Sequence, residues 1–148
     1  MKLLHHIIAT VFGAGYSPLA PGTAGSLLWL LLVYFFLPTV SPVYALLLII
    51  LLVLGVISST AMEKWHGEDP SLVVIDELVG MGISLIFVPR SWPFFLGAFL
   101  LFRFFDIVKP WPINVSQKLR GGWGIMMDDI LAGIFALIII HLIRLFFV

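Results

Sequence analysis

Long apolar segments whose ionisable residues gather at one end constrain this chain more than any other feature. Hydrophobic residues make up 61% of the 148 residues and charged residues 11%. The apolar fraction exceeds the ~45–50% that is usual in soluble domains, and a chain of this length cannot hide so many apolar side chains in its own core. Lipid must therefore be part of its solvent. The length allows one domain, which we expect to cover residues 1–148.

The apolar segments predict helices, because they are too long for strands and show no alternation. Backbone polar groups in lipid must also be paired within their own segment, which favours helices again. We therefore predict an all-α, integral membrane helical bundle with about four to five membrane-embedded helices. A Gly/Pro-rich loop at residues 13–26 precedes the apolar runs, of which the first is short enough to be either a span or re-entrant. These runs are residues 27–37, 43–57, 72–88, 94–105 and 130–148.

Counting crossings from the N-terminus places the three polar connections on one side of the membrane. Arg90 and Arg144 fall near the other side. The positive-inside rule makes the side that is richer in basic residues cytoplasmic. We therefore expect a multi-pass protein whose carboxylates and glycine-rich loop face the cytoplasm. The basic residues on that side are Lys2, Lys64, Lys109, Lys118 and Arg120.

Five carboxylates lie at the edges of the apolar runs: Asp76, Glu77, Asp106, Asp128 and Asp129. Ionisable groups are costly to place near a bilayer, so such a cluster indicates a functional site. Oxygen ligands suit a hard divalent cation such as Mg²⁺. We expect Asp76, Asp106 and Asp129 to bind the metal, with Glu77 and Asp128 as further ligands, as a base or as supports. The alternative is that each acid pair only caps a helix or favours its dipole.

Arg103 and Lys109 flank Asp106 at spacings of three. On a helix this spacing places alternating charges along one stripe, which is also the pattern of internal ion pairing. At a membrane surface the same stripe would offer two cations for phosphate, because arginine binds phosphate bidentately and lysine acts as a point charge. We predict that Arg103 and Lys109 bind a substrate phosphate.

The glycine-rich loop has the composition of a phosphate cradle, since helix N-termini with free N–H groups bind phosphates. It is not a Walker motif, because the Gly-Lys-Ser/Thr ending is missing. A plain helix-entry loop is the alternative. The loop residues that we expect to contact phosphate are Gly22, Thr23 and Ser26. His66, in a later polar connection, would be either a general acid or base or a solvated side chain.

The composition excludes several classes of function. The formal net charge is zero, which argues against a nucleic-acid partner. The chain has no cysteine and therefore no thiolate nucleophile or thiolate metal site. Among the ways in which enzymes hydrolyse a phosphate ester, attack by a metal-activated water is the one that these residues allow. A small membrane cation transporter or channel is the competing class, but its acids would run through the membrane instead of gathering at one face.

Four motifs resemble the phosphatidylglycerophosphatase A family: GYSPLAPGTAGSL, DPSLVVIDELVG, FRFFDIVKPWPI and GGWGIMMDDILAG, in that order. The resemblance implies a magnesium-dependent lipid phosphatase of bacterial inner membranes. Such an enzyme would hydrolyse phosphatidylglycerophosphate, a membrane phospholipid, to phosphatidylglycerol and inorganic phosphate. The positions that match the family's motifs are Pro21, Gly22, Thr23, Gly25, Asp76, Glu77, Arg103, Asp106, Lys109, Asp128 and Asp129.

Overall fold

The computed structural model describes residues 1–147, which form seven α-helices and one short 3₁₀ turn, Ala14–Tyr16. No strand occurs within these residues, so the prediction of an all-α fold is confirmed. The helices are α1 Lys2–Ala9, α2 Pro21–Phe36, α3 Pro42–His66, α4 Ile75–Ser84, α5 Trp92–Val108, α6 Ile113–Ser116 and α7 Gly122–Phe147.

Proline and glycine set most of the helix ends. Proline occupies the first turn of α2, α3 and α5, where its missing N–H has no helical partner to lose. The Oγ atom of Ser41 accepts a hydrogen bond of 3.2 Å from the N–H of Val43 and caps α3. Gly67 ends α3 with a φ of 92°, which glycine adopts without steric cost. These signals make α3 longer than its apolar run and extend its polar end to His66.

The short helix α4 lies at the centre of the bundle and packs against α2, α3, α5 and α7. Its closest neighbour is α7, and glycines allow that approach. A Cβ atom on Gly80 would lie 2.6 Å from the carbonyl oxygen of Asp129, and a Cβ atom on Gly133 would lie 3.0 Å from the carbonyl carbon of Gly80. The two backbones are therefore in direct contact. This contact brings the first turn of α4 next to the second turn of α7.

Two helices of the described residues, α3 and α7, are long and apolar enough to cross a membrane. Only 28% and 22% of their most apolar stretches are buried. Large apolar side chains therefore cover the outside of the bundle, as a lipid solvent requires. The helix α2 is apolar but shorter, with 16 residues, and α4 has 10. These features support a membrane-embedded bundle, while four to five spans remain a prediction.

The start of α7 corrects one sequence-based alternative. The helix begins at Gly122, so Asp128 and Asp129 lie in its second turn and no acid lies in its first. The alternative that this pair caps the last helix is therefore wrong.

The structure also corrects the extent of the glycine-rich loop, because residues 21–26 are the first turns of α2. Pro21 favours this start because its fixed φ suits the first helical position.

Polar side chains at the opposite end of the bundle bind backbone carbonyls. Arg90 donates a hydrogen bond of 2.8 Å to the carbonyl of Leu37, and the Nε2 atom of His141 lies 2.9 Å from the carbonyl oxygen of Ile86. These contacts hold the connections between helices in place. The polar groups at this end therefore have structural partners, whereas the carboxylates lie elsewhere.

Candidate active site

Three carboxylates from two helices meet where α4 and α7 are in contact. Asp76 and Glu77 come from the first turn of α4, and Asp129 comes from the second turn of α7. One oxygen of each lies within 4.8 Å of the others. Only 2% of Asp129 is exposed. Three acids so close together, with so little water around them, repel one another unless a positive charge compensates them.

Two oxygens of this group are buried and have no hydrogen-bond partner within residues 1–147: Oδ1 of Asp76 and Oε2 of Glu77. A buried polar atom without a partner is costly, and more so when it carries charge. Carboxylate oxygens in this number suit a hard divalent cation. The three residues therefore fit such an ion, and Asp76, Glu77 and Asp129 are the residues that would hold it.

Asp106 lies in the last turn of α5 and is bound by two cations. The Nη1 atom of Arg103 lies 2.6 Å from its Oδ2, and the Nζ atom of Lys109 lies 3.9 Å from its Oδ1. The internal ion pairing that the spacing allowed is therefore present. The Nε atom of Arg103 is buried without a partner and remains free to donate. A role for Asp106 as a metal ligand stays a prediction.

Asp128 has a different environment from its neighbour Asp129. Lys109 donates a hydrogen bond to Oδ2 of Asp128, and the Nε2 atom of Gln117 donates to the same oxygen over 3.0 Å. Burial lowers the pKa of Lys109, but the hydrogen bond and the charge of Asp128 outweigh it, so the pKa is raised. Lys109 therefore stays positively charged beside the three carboxylates.

These side chains line one polar cavity of about 210 Å³, which is large enough for a phosphate group and its ligands. The cavity contains all five carboxylates that the sequence analysis selected, together with Lys109. It also contains Asp69, to which the sequence analysis assigned no role. The lining residues are Pro21, Asp69, Pro70, Ser71, Val73, Asp76, Glu77, Asp106, Lys109, Asp128 and Asp129.

The start of α2 closes this site from the side of Glu77. A Cβ atom on Gly22 would lie 2.8 Å from Cδ of Glu77 and 3.2 Å from Nη1 of Arg103, so a larger residue there would displace these two side chains. The buried hydroxyl of Ser26 donates to the carbonyl of Gly22 over 2.7 Å and is therefore already used within the helix. Thr23 is half-buried in the same turn. Direct phosphate contacts from these residues remain a prediction.

Residues 7–144 match the model of the family described as "Phosphatidylglycerophosphatase A". The chain belongs to this family. The family model covers nearly the whole chain, including every carboxylate in the cavity. The resemblance seen in the four motifs is therefore confirmed.

Relatives from three bacteria are similar over almost their whole length. A Bacteroides thetaiotaomicron protein, provisionally named a phosphatidylinositol-3-phosphatase, is 44% identical over 93% of this chain and 92% of its own. Phosphatidylglycerophosphatase A of Haemophilus influenzae is 40% identical, with 94% and 88% covered. Phosphatidylglycerophosphatase A of Escherichia coli is 37% identical, with 93% and 82% covered. No solved structure matches the chain.

Membership of the phosphatidylglycerophosphatase A family identifies the chain as a phosphatase, a phosphoric monoester hydrolase. It supports the predicted dephosphorylation of phosphatidylglycerophosphate and does not support the alternative of a cation transporter. The geometry agrees with a phosphatase, because the carboxylates form one cluster at one end of the bundle.

The sequence analysis did not select two residues of the site, Gln117 and Asp69. His66, which it did select, lies away from the site. Gln117 and Asp69 lie in polar connections, where neither spacing nor periodicity distinguishes them from solvated residues, although Asp69 opens the motif DPSLVVIDELVG. His66 does not line the cavity. Its Nε2 lies 3.2 Å from Nε2 of His6, whose ring stacks on Trp65. His66 therefore joins α1 to the end of α3 in the structure.

Proposed function

We propose that this protein is a magnesium-dependent phosphatase that hydrolyses phosphatidylglycerophosphate to phosphatidylglycerol and inorganic phosphate. The observation that carries the proposal is the group of Asp76, Glu77 and Asp129, in which two buried carboxylate oxygens lack a partner. Mg²⁺ is the cation we infer, because it is a hard ion that binds carboxylate oxygens together with waters and substrate phosphates.

Asp76, Glu77 and Asp129 would hold the cation, with Asp106 as a fourth ligand from α5. A bound divalent cation supplies an acidified water and neutralises phosphate oxygens. The protein's own cations complete the charge balance. Lys109 lines the cavity, and Arg103 keeps its buried Nε free to donate. Both would bind oxygens of the phosphate monoester, while Asp106 holds Arg103 in place.

The backbone at the start of α2 would add neutral donors. The first N–H groups of a helix have no partner within it and favour anions. Gly22 brings this helix end against Glu77 and Arg103 because it has no side chain. The loop motif of the family would therefore serve as a backbone contact to phosphate, and its hydroxyls would be of secondary importance.

We further propose that α2, α3, α4, α5 and α7 are embedded in the bacterial inner membrane and that the site faces the cytoplasm. The support comes from the exposed apolar surfaces and from the lysines that accompany the carboxylates at one end. The phosphate of a membrane lipid lies at the headgroup level, where this arrangement places the cavity. The acyl chains would stay in lipid, so the protein need not bury them.

Cysteine labelling tests this topology, because the chain has no cysteine of its own. Single cysteines at Lys64, Lys118 and Val40, all exposed, report on the two ends of the bundle. We expect an impermeant maleimide to label Val40→Cys in intact cells and to label the other two only after permeabilisation. Labelling of Lys64→Cys and Lys118→Cys from outside would invert the topology.

Phosphate release from defined lipids tests the activity. Purified protein in detergent micelles should release phosphate from phosphatidylglycerophosphate when Mg²⁺ is present, stop when a chelator is added and recover when Mg²⁺ is restored. Phosphatidylinositol 3-phosphate is the second substrate to compare, because the Bacteroides relative carries that name. Release from the inositol lipid alone would show that the protein is a phosphatase with a different lipid substrate. Release from neither would overturn the proposal.

A further inference from the structure

A second polar cavity of about 350 Å³ adjoins the site and shares Asp69 and Asp128 with it. Residues from the end of α3 and from the connection between α6 and α7 line it, among them Glu63, Lys118 and Arg120. We call it the outer cavity. All eight Asp and Glu residues of the chain line either this cavity or the catalytic one. The two cavities together therefore hold the whole acidic content of the protein.

The connection that forms the outer cavity is packed tightly against the catalytic side. Gln117 is bound to Asp128, which also binds Lys109. A Cβ atom on Gly124 would lie 3.0 Å from the carbonyl oxygen of Gln117, so the connection lies directly on the first turn of α7. Lys118 follows Gln117 in the chain and is therefore held near the catalytic cavity.

The cations of the outer cavity differ from those of the catalytic one. Arg103 and Lys109 are paired with carboxylates, whereas Lys118 and Arg120 are exposed and have no acidic partner within 4.0 Å among residues 1–147. They are therefore available to an anion from outside the protein. The carboxylates of the same cavity would accept hydrogen bonds from hydroxyl groups and would repel a doubly charged phosphate.

We propose that the outer cavity binds the headgroup of the lipid between its terminal phosphate and its acyl chains. Lys118 and Arg120 bind the phosphodiester, and Glu63 and Asp69 accept hydrogen bonds from the hydroxyls of the polyol. The proposal rests on the proposed function and adds the recognition of the rest of the substrate. It also gives the lipid one orientation, because Lys118 and Arg120 offset the single charge of the diester, whereas the doubly charged monoester would need the bound cation and Lys109 of the catalytic cavity.

The names of the relatives agree with this division of the substrate. Phosphatidylglycerophosphate and phosphatidylinositol 3-phosphate both carry a phosphate monoester and a phosphodiester joined by a polyol. A site that binds the diester and the hydroxyls would accept both lipids, because both contain these groups. It would discriminate against phosphatidic acid, in which the monoester is attached directly to diacylglycerol and no diester exists.

The double variant Lys118→Gln/Arg120→Gln tests the proposal against Lys2→Gln/Lys64→Gln, which removes two exposed cations that line neither cavity. We expect the first variant to raise KM for phosphatidylglycerophosphate about tenfold with little change in kcat. Inhibition by the product phosphatidylglycerol should weaken to a similar extent, while inhibition by inorganic phosphate stays unchanged. The control should behave as the unmodified protein.

Direct binding separates this proposal from the proposed function. Calorimetry with a short-chain phosphatidylglycerol should show about tenfold weaker binding to the double variant, and Lys118→Arg/Arg120→Lys, which keeps both charges, should restore it. This measurement needs no turnover, and it stands if the protein releases no phosphate. Unchanged phosphatidylglycerol binding in a folded double variant overturns the proposal. An equal loss of inorganic phosphate inhibition would also overturn it.

Discussion

Asp129→Asn is expected to lower kcat by about a thousandfold or more, which corresponds to a loss of ~4 kcal/mol of transition-state stabilisation. The substitution keeps the size of the side chain and removes its charge. Asp129 is the contribution of α7 to the buried group, and its partners Asp76 and Glu77 come from one helix turn. Without Asp129 the cation would lose its ligand from the second helix, and the water that it activates would lose its position.

Thermal unfolding with and without Mg²⁺ shows whether this loss reflects metal binding. A ligand that binds the folded state stabilises it in proportion to the logarithm of its concentration. Mg²⁺ should raise the Tm of the unmodified protein and should not raise that of Asp129→Asn. The variant should fold, because a neutral amide relieves the repulsion among three closely spaced acids. Near-normal turnover of Asp129→Asn and Asp106→Asn at saturating Mg²⁺ would show that the site is wrongly placed.

Gly133→Val is expected to lower the rate roughly a hundredfold although Gly133 contributes no polar side chain. A Cβ atom there would meet the backbone of Gly80, with 3.2 Å to its Cα, and a backbone cannot rotate aside. The helices α4 and α7 must separate, which costs about 1–3 kcal/mol. Separation moves Asp129 away from Asp76 and Glu77, and a displacement of about 1 Å lowers the rate roughly a hundredfold.

Gly97→Ala is the matched control for this prediction. Its Cβ atom would meet only Cδ1 of Ile140, at 3.0 Å, which is the flexible end of a side chain. We expect this variant to keep its activity and its Mg²⁺-dependent gain in Tm. If Gly133→Val kept both as well, the contact between α4 and α7 would not position the carboxylates.

Much of the site was visible in the sequence because membrane chains rarely carry acids. Asp76, Glu77, Asp106, Asp128 and Asp129 stood out against apolar runs, and the structure brings all five into one cavity. The sequence did not show that these carboxylates have different surroundings. Asp128 and Asp129 are adjacent in sequence, yet one faces Lys109 and Gln117 while the other faces α4. Adjacent residues on a helix point about 100° apart, so packing alone decides which of them turns inward.

The sequence by itself determined the helical fold, through its hydropathy, and the family, through its four motifs, because both are properties of short segments. Tertiary structure decided the rest. It placed α4 at the centre through Gly80 and Gly133, and it joined the outer cavity to the catalytic one through Asp69 and Asp128. These are contacts between distant segments, and they depend on how closely backbones approach, which no local pattern records.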